Sequence, residues 1–379
     1  MNNSYATQTS RGRLRQRLIR PLEPALQALL LSPAPEGFRI GGTIKTIEQL
    51  REHLQTAIEL EHSTIPVYLT TLYTLDERRN QFAYQAIQGV AMEEMLHMIQ
   101  VCNIMNAVGG SPAINKPDFI PEYPTPLPHS DDAFLVSLQK FSPDAIDTFL
   151  KIEMPAGKCA PPEANHYATI GQFYHAIRIA LVELDAHNRL HGGPGIFTGD
   201  PTRQVLPEHY YGGGGKLLPV HELQDALLGI EEIVGQGEGV DGTIIDTDSV
   251  LFGQDVEYAH YFRFNEVKHG RRYRPDDNAK YPPTGPAVEV DWQAAADMAP
   301  NPKMADYPEG SPVWKQTREF NRIYTSLLDQ LHVACNGQPA SLAEAIPIMY
   351  QLKYQAQALL NLPNGRGGRA GPSFEYVAL

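Results

Sequence analysis

Long apolar runs are missing from this chain. No stretch approaches the ~20 residues that a membrane-crossing helix needs, so a spanning helix is excluded. Positive charge is scarce too, with 31 Lys+Arg against 44 Asp+Glu and a formal net charge of −13. Phosphate binding relies on concentrated positive charge, so nucleic acid is excluded as the default partner. Cysteine is rarer still: Cys102, Cys159 and Cys335, with no C-x-x-C pair among them. That rules out a disulfide framework and a thiolate zinc site, and it predicts a reducing, cytoplasmic setting. What the chain has is enough apolar material, 42% of 379 residues, to bury a sizeable core in one large domain or in two or three smaller ones.

The amino terminus is read apart. Arg11, Arg13, Arg15, Arg17 and Arg20 precede the apolar run Ala28-Leu29-Leu30-Leu31, but Glu23 and Pro24 interrupt it and four residues fall short of a secretory core. Residues 1–42 are therefore expected to form a basic, amphipathic arm rather than a signal peptide.

Helical periodicity dominates the rest. Helices are predicted from Thr43 to about Leu75 and from Asn80 to Val108, the second closed by Gly109-Gly110 and Pro112. Their short connection makes them antiparallel. Further helices are predicted near 131–139 and 142–151, from His166 to about Leu190, from Val220 to Val234, and from Asp248 to His269. A hairpin is expected where Gln204-Val205-Leu206 and Lys216-Leu217-Leu218 flank Gly212 to Gly215. That glycine run is no phosphate loop, because Leu217 stands where Ser/Thr is required and Tyr210 where the first glycine belongs; it reads as a mobile hairpin tip. The chain thus divides into the arm, a bundle over 43–270, a proline-rich extended linker over 271–312, a C-terminal helical pair over 313–362, and a flexible tail over 363–379.

The chemistry lies on the helical seams. Ala83, Ile87, Val90, Glu94, His97, Val101, Ile104 and Val108 step by four and three, so they form one core-facing stripe. Six of these eight are apolar; the others are a carboxylate and an imidazole three residues apart. Burying an unpaired carboxylate costs several kcal/mol, and a bound cation is the simplest compensation. The stripe Val250, Gly253, Glu257, His260, Phe264, Val267 repeats the Glu-x-x-His pair. Two such helices, plus lone acids from two others, build the dinuclear sites of four-helix bundles. Glu61, sharing a face with Leu50, Leu54, Ala57, Tyr68 and Leu72, is one lone acid. The other is open: Glu238 is the first choice, Glu183 and Glu232 the alternatives, and Gln172 occupies a place where a glutamate would have served. An ordinary buried ion pair or solvated acid is the competing reading for each. Pro66, five residues after Glu61, predicts a kink or bulge near the site. His62 and Glu59 lie off the seam, Glu93 and Glu266 are expected on outer faces or behind the ligands, and His187 with His191 at the surface.

Three stretches, Leu60-Glu61-His62-Ser63-Thr64-Ile65-Pro66-Val67-Tyr68-Leu69, Glu93-Glu94-Met95-Leu96-His97 and Ala259-His260-Tyr261-Phe262-Arg263-Phe264, together with Gln236-Gly237-Glu238-Gly239, give the chain a likeness. Over roughly 45–275 it resembles the bacterial ferritin-like family, which includes a domain of the iminophenyl-pyruvate dimer synthase of the violacein pathway. The resemblance implies a mainly α, ferritin-like four-helix bundle with a small β-hairpin insertion and extra C-terminal helices, holding a non-haem dinuclear site. Haem is not implied, since no C-x-x-C-H occurs. The expected metal set is Glu61, Glu94, His97, Glu238, Glu257 and His260 around two iron (or manganese) ions, with Tyr68 and Tyr261 as hydrogen-bonding neighbours. Oxygen and nitrogen donors suit those metals better than zinc. The expected function is an O2-dependent oxidase or oxygenase acting on a small organic molecule, in a protein free to assemble as a homo-oligomer. Ferroxidase or metal handling without an organic substrate is the alternative, and a metal-free scaffold is a third reading.

Overall fold

The computed structural model describes residues 39–127, 134–155, 170–211, 213–238, 243–248 and 256–379. The arm before residue 39 lies outside them, as does Cys159.

Helix α1 (Ile47–Thr74) starts where Thr46 accepts a hydrogen bond from the Gln49 backbone and Glu48 places negative charge at the helix's positive end. Pro66 deprives the His62 carbonyl of its helical donor, yet α1 runs through it unbroken. Helix α2 (Gln81–Ala107) returns alongside α1 after a six-residue connection in which the Asn80 N–H donates to the Asp76 carbonyl at 3.0 Å. Gly109 ends it with φ of +72°, letting the Gly110 N–H reach back to the Met105 carbonyl. A second pair, α4 (Ile170–Leu190) and α5 (Leu223–Glu238), packs against the first and completes four long helices. Two ten-residue helices, α3 (Pro143–Ile152) and α6 (His260–His269), pack on each other, and α6 also touches α2 and α5. Among the described residues α7 (Pro312–Cys335) and α8 (Ala345–Leu360) complete the set of eight α-helices.

The helices share one apolar core. Leu54, Ile87, Phe149, Ile177 and Ile230 belong to the same buried cluster as Phe320, Leu328 and Leu359, so the C-terminal pair packs on the bundle's own core. The segment 271–312 is stitched to that body: the Asp76 N–H donates to the Ala294 carbonyl at 2.8 Å, and the Ala296 N–H to that of Thr74 at 2.7 Å.

Four expectations need correction. The only sheet among the described residues pairs β1 (Thr125–Pro126) with β2 (Leu135–Val136), where a helix was expected over 131–139; no strand forms at 204–206 or 216–218. Gly213, Gly214 and Gly215 of the glycine run are packed closely against their neighbours rather than forming a free tip. Gly214, at φ +74°, lies so close to α2 that a Cβ there would stand 2.8 Å from the Glu93 backbone nitrogen. Alternation at 204–218 suggested strands, but close packing on α2 dictates an irregular path. The tail is not free either. Phe374 is 1% exposed and meets Phe320 and Tyr324 edge-on, while Asn321 holds the side chain of Ser373 and the backbone of Glu375.

Candidate metal centre

Glu61 on α1 and Glu94 and His97 on α2 converge, as their seams require. Their ligand atoms lie within 4.8 Å of one another. A second trio, Glu94, Glu153 and His260, meets the same distance condition, and Glu94 belongs to both. His97 Nδ1 is 3.5 Å from Glu61 Oε2 and 3.9 Å from Glu94 Oε1. His260 Nδ1 is 3.1 Å from Glu94 Oε1 and 3.3 Å from Glu153 Oε2. All five side chains are buried.

The surroundings fix these groups. Each imidazole turns Nδ1 inward because Nε2 is engaged elsewhere: His97 with Gln236 Oε1 at 2.7 Å, His260 with Glu93 Oε2 at 2.6 Å. Such outer partners set the ring orientation and the tautomer of a metal-binding histidine. The Tyr174 hydroxyl donates to Glu61 and the Tyr68 hydroxyl to Glu153, so each terminal carboxylate is held from behind. Thr64 Oγ1 donates to Glu94 Oε2 at 3.0 Å. Arg263 closes the set with Nη1 2.8 Å from Glu93 Oε1.

Electrostatics here reflect crowded charge in a dry place. Burial pushes Glu94 up to about 8, with repulsion from Glu153 and Glu61 adding to it. Burial also opposes ionisation of Glu61 and Glu93, but His97 outweighs it at Glu61, and Arg263 and His260 hold Glu93 down at about 2. Burial would neutralise both imidazoles, yet Glu61 and Glu94 raise His97, and Glu153, Glu93 and Glu94 raise His260 well above its ordinary range. Burial, then Glu153, raises the Tyr68 hydroxyl, and burial, then Glu61, that of Tyr174, so both remain donors.

Sequence expectation and structure diverge at three places. Glu257 is not beside His260: residues 256–259 are not helical, Ala259 caps α6, and the Glu257 side chain, 56% exposed, pairs with Arg263 at 3.2 Å. The Glu-x-x-His spacing fails because α6 begins at His260 itself. The further acid that the structure brings to His260 is Glu153, at the C-cap of α3, which the stripes of the longer helices do not single out. A signal existed: Ile146, Phe149, Leu150 and Glu153 follow i, i+3, i+4, i+7, putting the carboxylate on the buried stripe of α3. Neither alternative joins the cluster. Glu183 accepts from the Gly41 and Gly42 N–H groups at 3.0 and 2.8 Å, and Glu232 from that of Lys216 at 2.9 Å. The side chain of Glu238 lies outside the described residues. Tyr68 reaches Glu153 through its hydroxyl, whereas Tyr261 is half-buried and packs edge-on to Phe262. Glu93 sits behind a histidine; Glu266 instead accepts from the Tyr273 N–H at 2.6 Å.

The donor set fits a pair of cations: three carboxylates and two imidazoles, no thiolate, one carboxylate common to both trios. Comparison with known proteins agrees with this geometry. The sequence profile of the Ferritin-like family matches residues 54–269. Dichlorochromopyrrolate synthase of Lentzea aerocolonigenes is 27% identical over 326 residues, covering 76% of this chain and 29% of that protein. The 2-imino-3-(indol-3-yl)propanoate dimerase of Chromobacterium violaceum is 24% identical over 386 residues, covering 91% of this chain and 35% of that protein. The chain thus spans about a third of the length of the curated relatives it matches. A ferritin-like protein from Caulobacter vibrioides has the same fold, with a TM-score of 0.58 at 23% identity, covering 88% of this chain and 99% of that one.

Proposed function

Because the chain belongs to the Ferritin-like family, we propose that its buried cluster holds two iron (or manganese) ions and serves an O2-dependent oxidase or oxygenase of a small organic molecule in secondary metabolism. The observation that carries this reading is the pair of trios sharing Glu94. Glu61 and His97 would hold one ion and Glu153 and His260 the other, with Glu94 within reach of both trios. Iron or manganese in such a set supplies O2 activation and electron uptake from the substrate.

The chain's own residues supply orientation and dryness. Gln236 and Glu93 keep the two Nδ1 lone pairs aimed at the cluster, and burial keeps water from competing for the carboxylates. Tyr68 and Tyr174 steady Glu153 and Glu61 while remaining protonated. The organic substrate is argued from the two curated relatives, whose names describe enzymes that build or join organic molecules. No described helix is long and apolar enough to cross a membrane, and the setting we propose is the cytoplasm.

The test loads the protein with Fe(II) without oxygen, then follows O2 uptake with and without 2-imino acids made from aromatic amino acids. Uptake that depends on the organic compound supports the proposal. Oxidation of many Fe(II) ions per chain, indifferent to any organic compound, would instead establish metal handling.

A further inference from the structure

A second opening lies on the other flank of the α1–α2 pair, between it and α7–α8. It is a cavity of about 370 Å3 lined by none of the five cluster side chains. That volume is in the range of small-molecule sites. Leucine and isoleucine side chains from all four helices line it, and to these Tyr73, Tyr84, Tyr211 and Tyr324 add aromatic surface and Met95 and Met349 thioethers. Flat rings gain both stacking and sulfur contacts from such walls, whereas an acyl chain gains neither.

Besides the tyrosine hydroxyls, three polar side chains break the apolar lining, His62, Gln88 and Lys353. Inside is His62, 3% exposed, whose Nε2 stands 2.6 Å from the Tyr324 hydroxyl while Nδ1 has no hydrogen-bond partner. At the rim, beside the exposed Tyr350, is the half-buried Lys353. Its Nζ donates to the Tyr84 hydroxyl at 2.9 Å and makes no ion pair among the described residues. A cation at the mouth selects an anionic head group.

We propose that this cavity is a second binding site, separate from the carboxylate–histidine cluster, for one planar aromatic carboxylate: its ring lies between the tyrosines and methionines, and its carboxylate against Lys353. Occupancy does not require metal, because no cluster residue contributes to the walls.

Titration calorimetry on the full chain, with and without chelator, tests this using indole-3-propionate, its neutral amide and dodecanoate. The expected result is one site per chain, the same affinity with and without metal, about tenfold weaker binding of the amide, and no displacement by dodecanoate. Lys353→Met should remove the difference between acid and amide, and Met349→Trp at the rim should abolish binding while leaving metal content unchanged. Should Met349→Trp fail to fold, a crystal soaked with indole-3-propionate gives the same answer by locating the ring. Equal or tighter binding of dodecanoate would show an acyl-chain site and overturn the proposal. Binding confined to metal-loaded protein would place the ligand on the ions, and no binding at millimolar concentration would leave the cavity without this role; either result overturns it.

Discussion

Replacing Glu153 by glutamine should make the metal-free protein more stable and the metal-loaded protein incomplete. Four carboxyl groups, Glu61, Glu93, Glu94 and Glu153, here face three cationic partners, His97, His260 and Arg263. The excess negative charge is what the raised Glu94 absorbs by keeping its proton. A rise from an ordinary 4.5 to about 8 corresponds to about 5 kcal/mol between the two protonation states. The sign follows from linkage: a carboxyl raised on folding stabilises fully below its ordinary value, and that stabilisation is lost as pH climbs toward 8. Glutamine keeps the shape and an acceptor for Tyr68 while removing the carboxylate that repels Glu94 most, leaving three carboxylates against three cations. Recovering one or two units at Glu94 returns about 1–3 kcal/mol at pH 8, which thermal melts in chelator detect at about 2–4 °C per kcal/mol. Metal analysis of the same variant should give one ion per chain. A lower melting temperature in chelator together with two retained ions would refute the charge count and the assignment of Glu153 at once.

Other consequences are equally measurable. His97, His260 and Glu94 all hold protons more tightly than usual, so metal loading at pH 7 should release about three protons, read from calorimetry in buffers of different ionisation heat. Release should diminish and affinity should rise as pH passes 8; a release of one proton or fewer would contradict the assigned protonation. Gly214→Ala forces a side chain into φ +74° and against the α2 backbone at Glu93, so a loss of about 1–3 kcal/mol is expected in denaturant melts. An unchanged midpoint would show the glycine run to be loose. Phe374→Ala should cost about 3–5 kcal/mol, because the ring is fully buried against Phe320 and Tyr324. A neutral result would mean that the tail is an ornament on the core.

The parts of the site that lie on long helices were readable, because seam spacing alone brings Glu61, Glu94 and His97 together. His260 was found for a partly mistaken reason. Its stripe assumed a helix running through Glu257, whereas the first helical residue is His260 and the acid behind it is Glu93. Glu153 escaped because α3 has only ten residues and the carboxylate sits at its cap, where a terminal acid ordinarily reads as solvated. Long-range choices such as Gln236 behind His97, or the tail threading onto Asn321, leave no periodic trace, since they depend on which distant backbones meet. The glycine run misled for a related reason: its freedom serves close approach to α2, which local sequence cannot distinguish from a turn.

The most direct trial of the whole account is metal content per chain in protein grown with added iron, compared with its Glu94→Ala variant. Two ions in the parent and loss of both in the variant are expected, since one carboxylate serves both trios. An ion-free parent whose melting temperature ignores chelator, or a variant that keeps both ions, would contradict it.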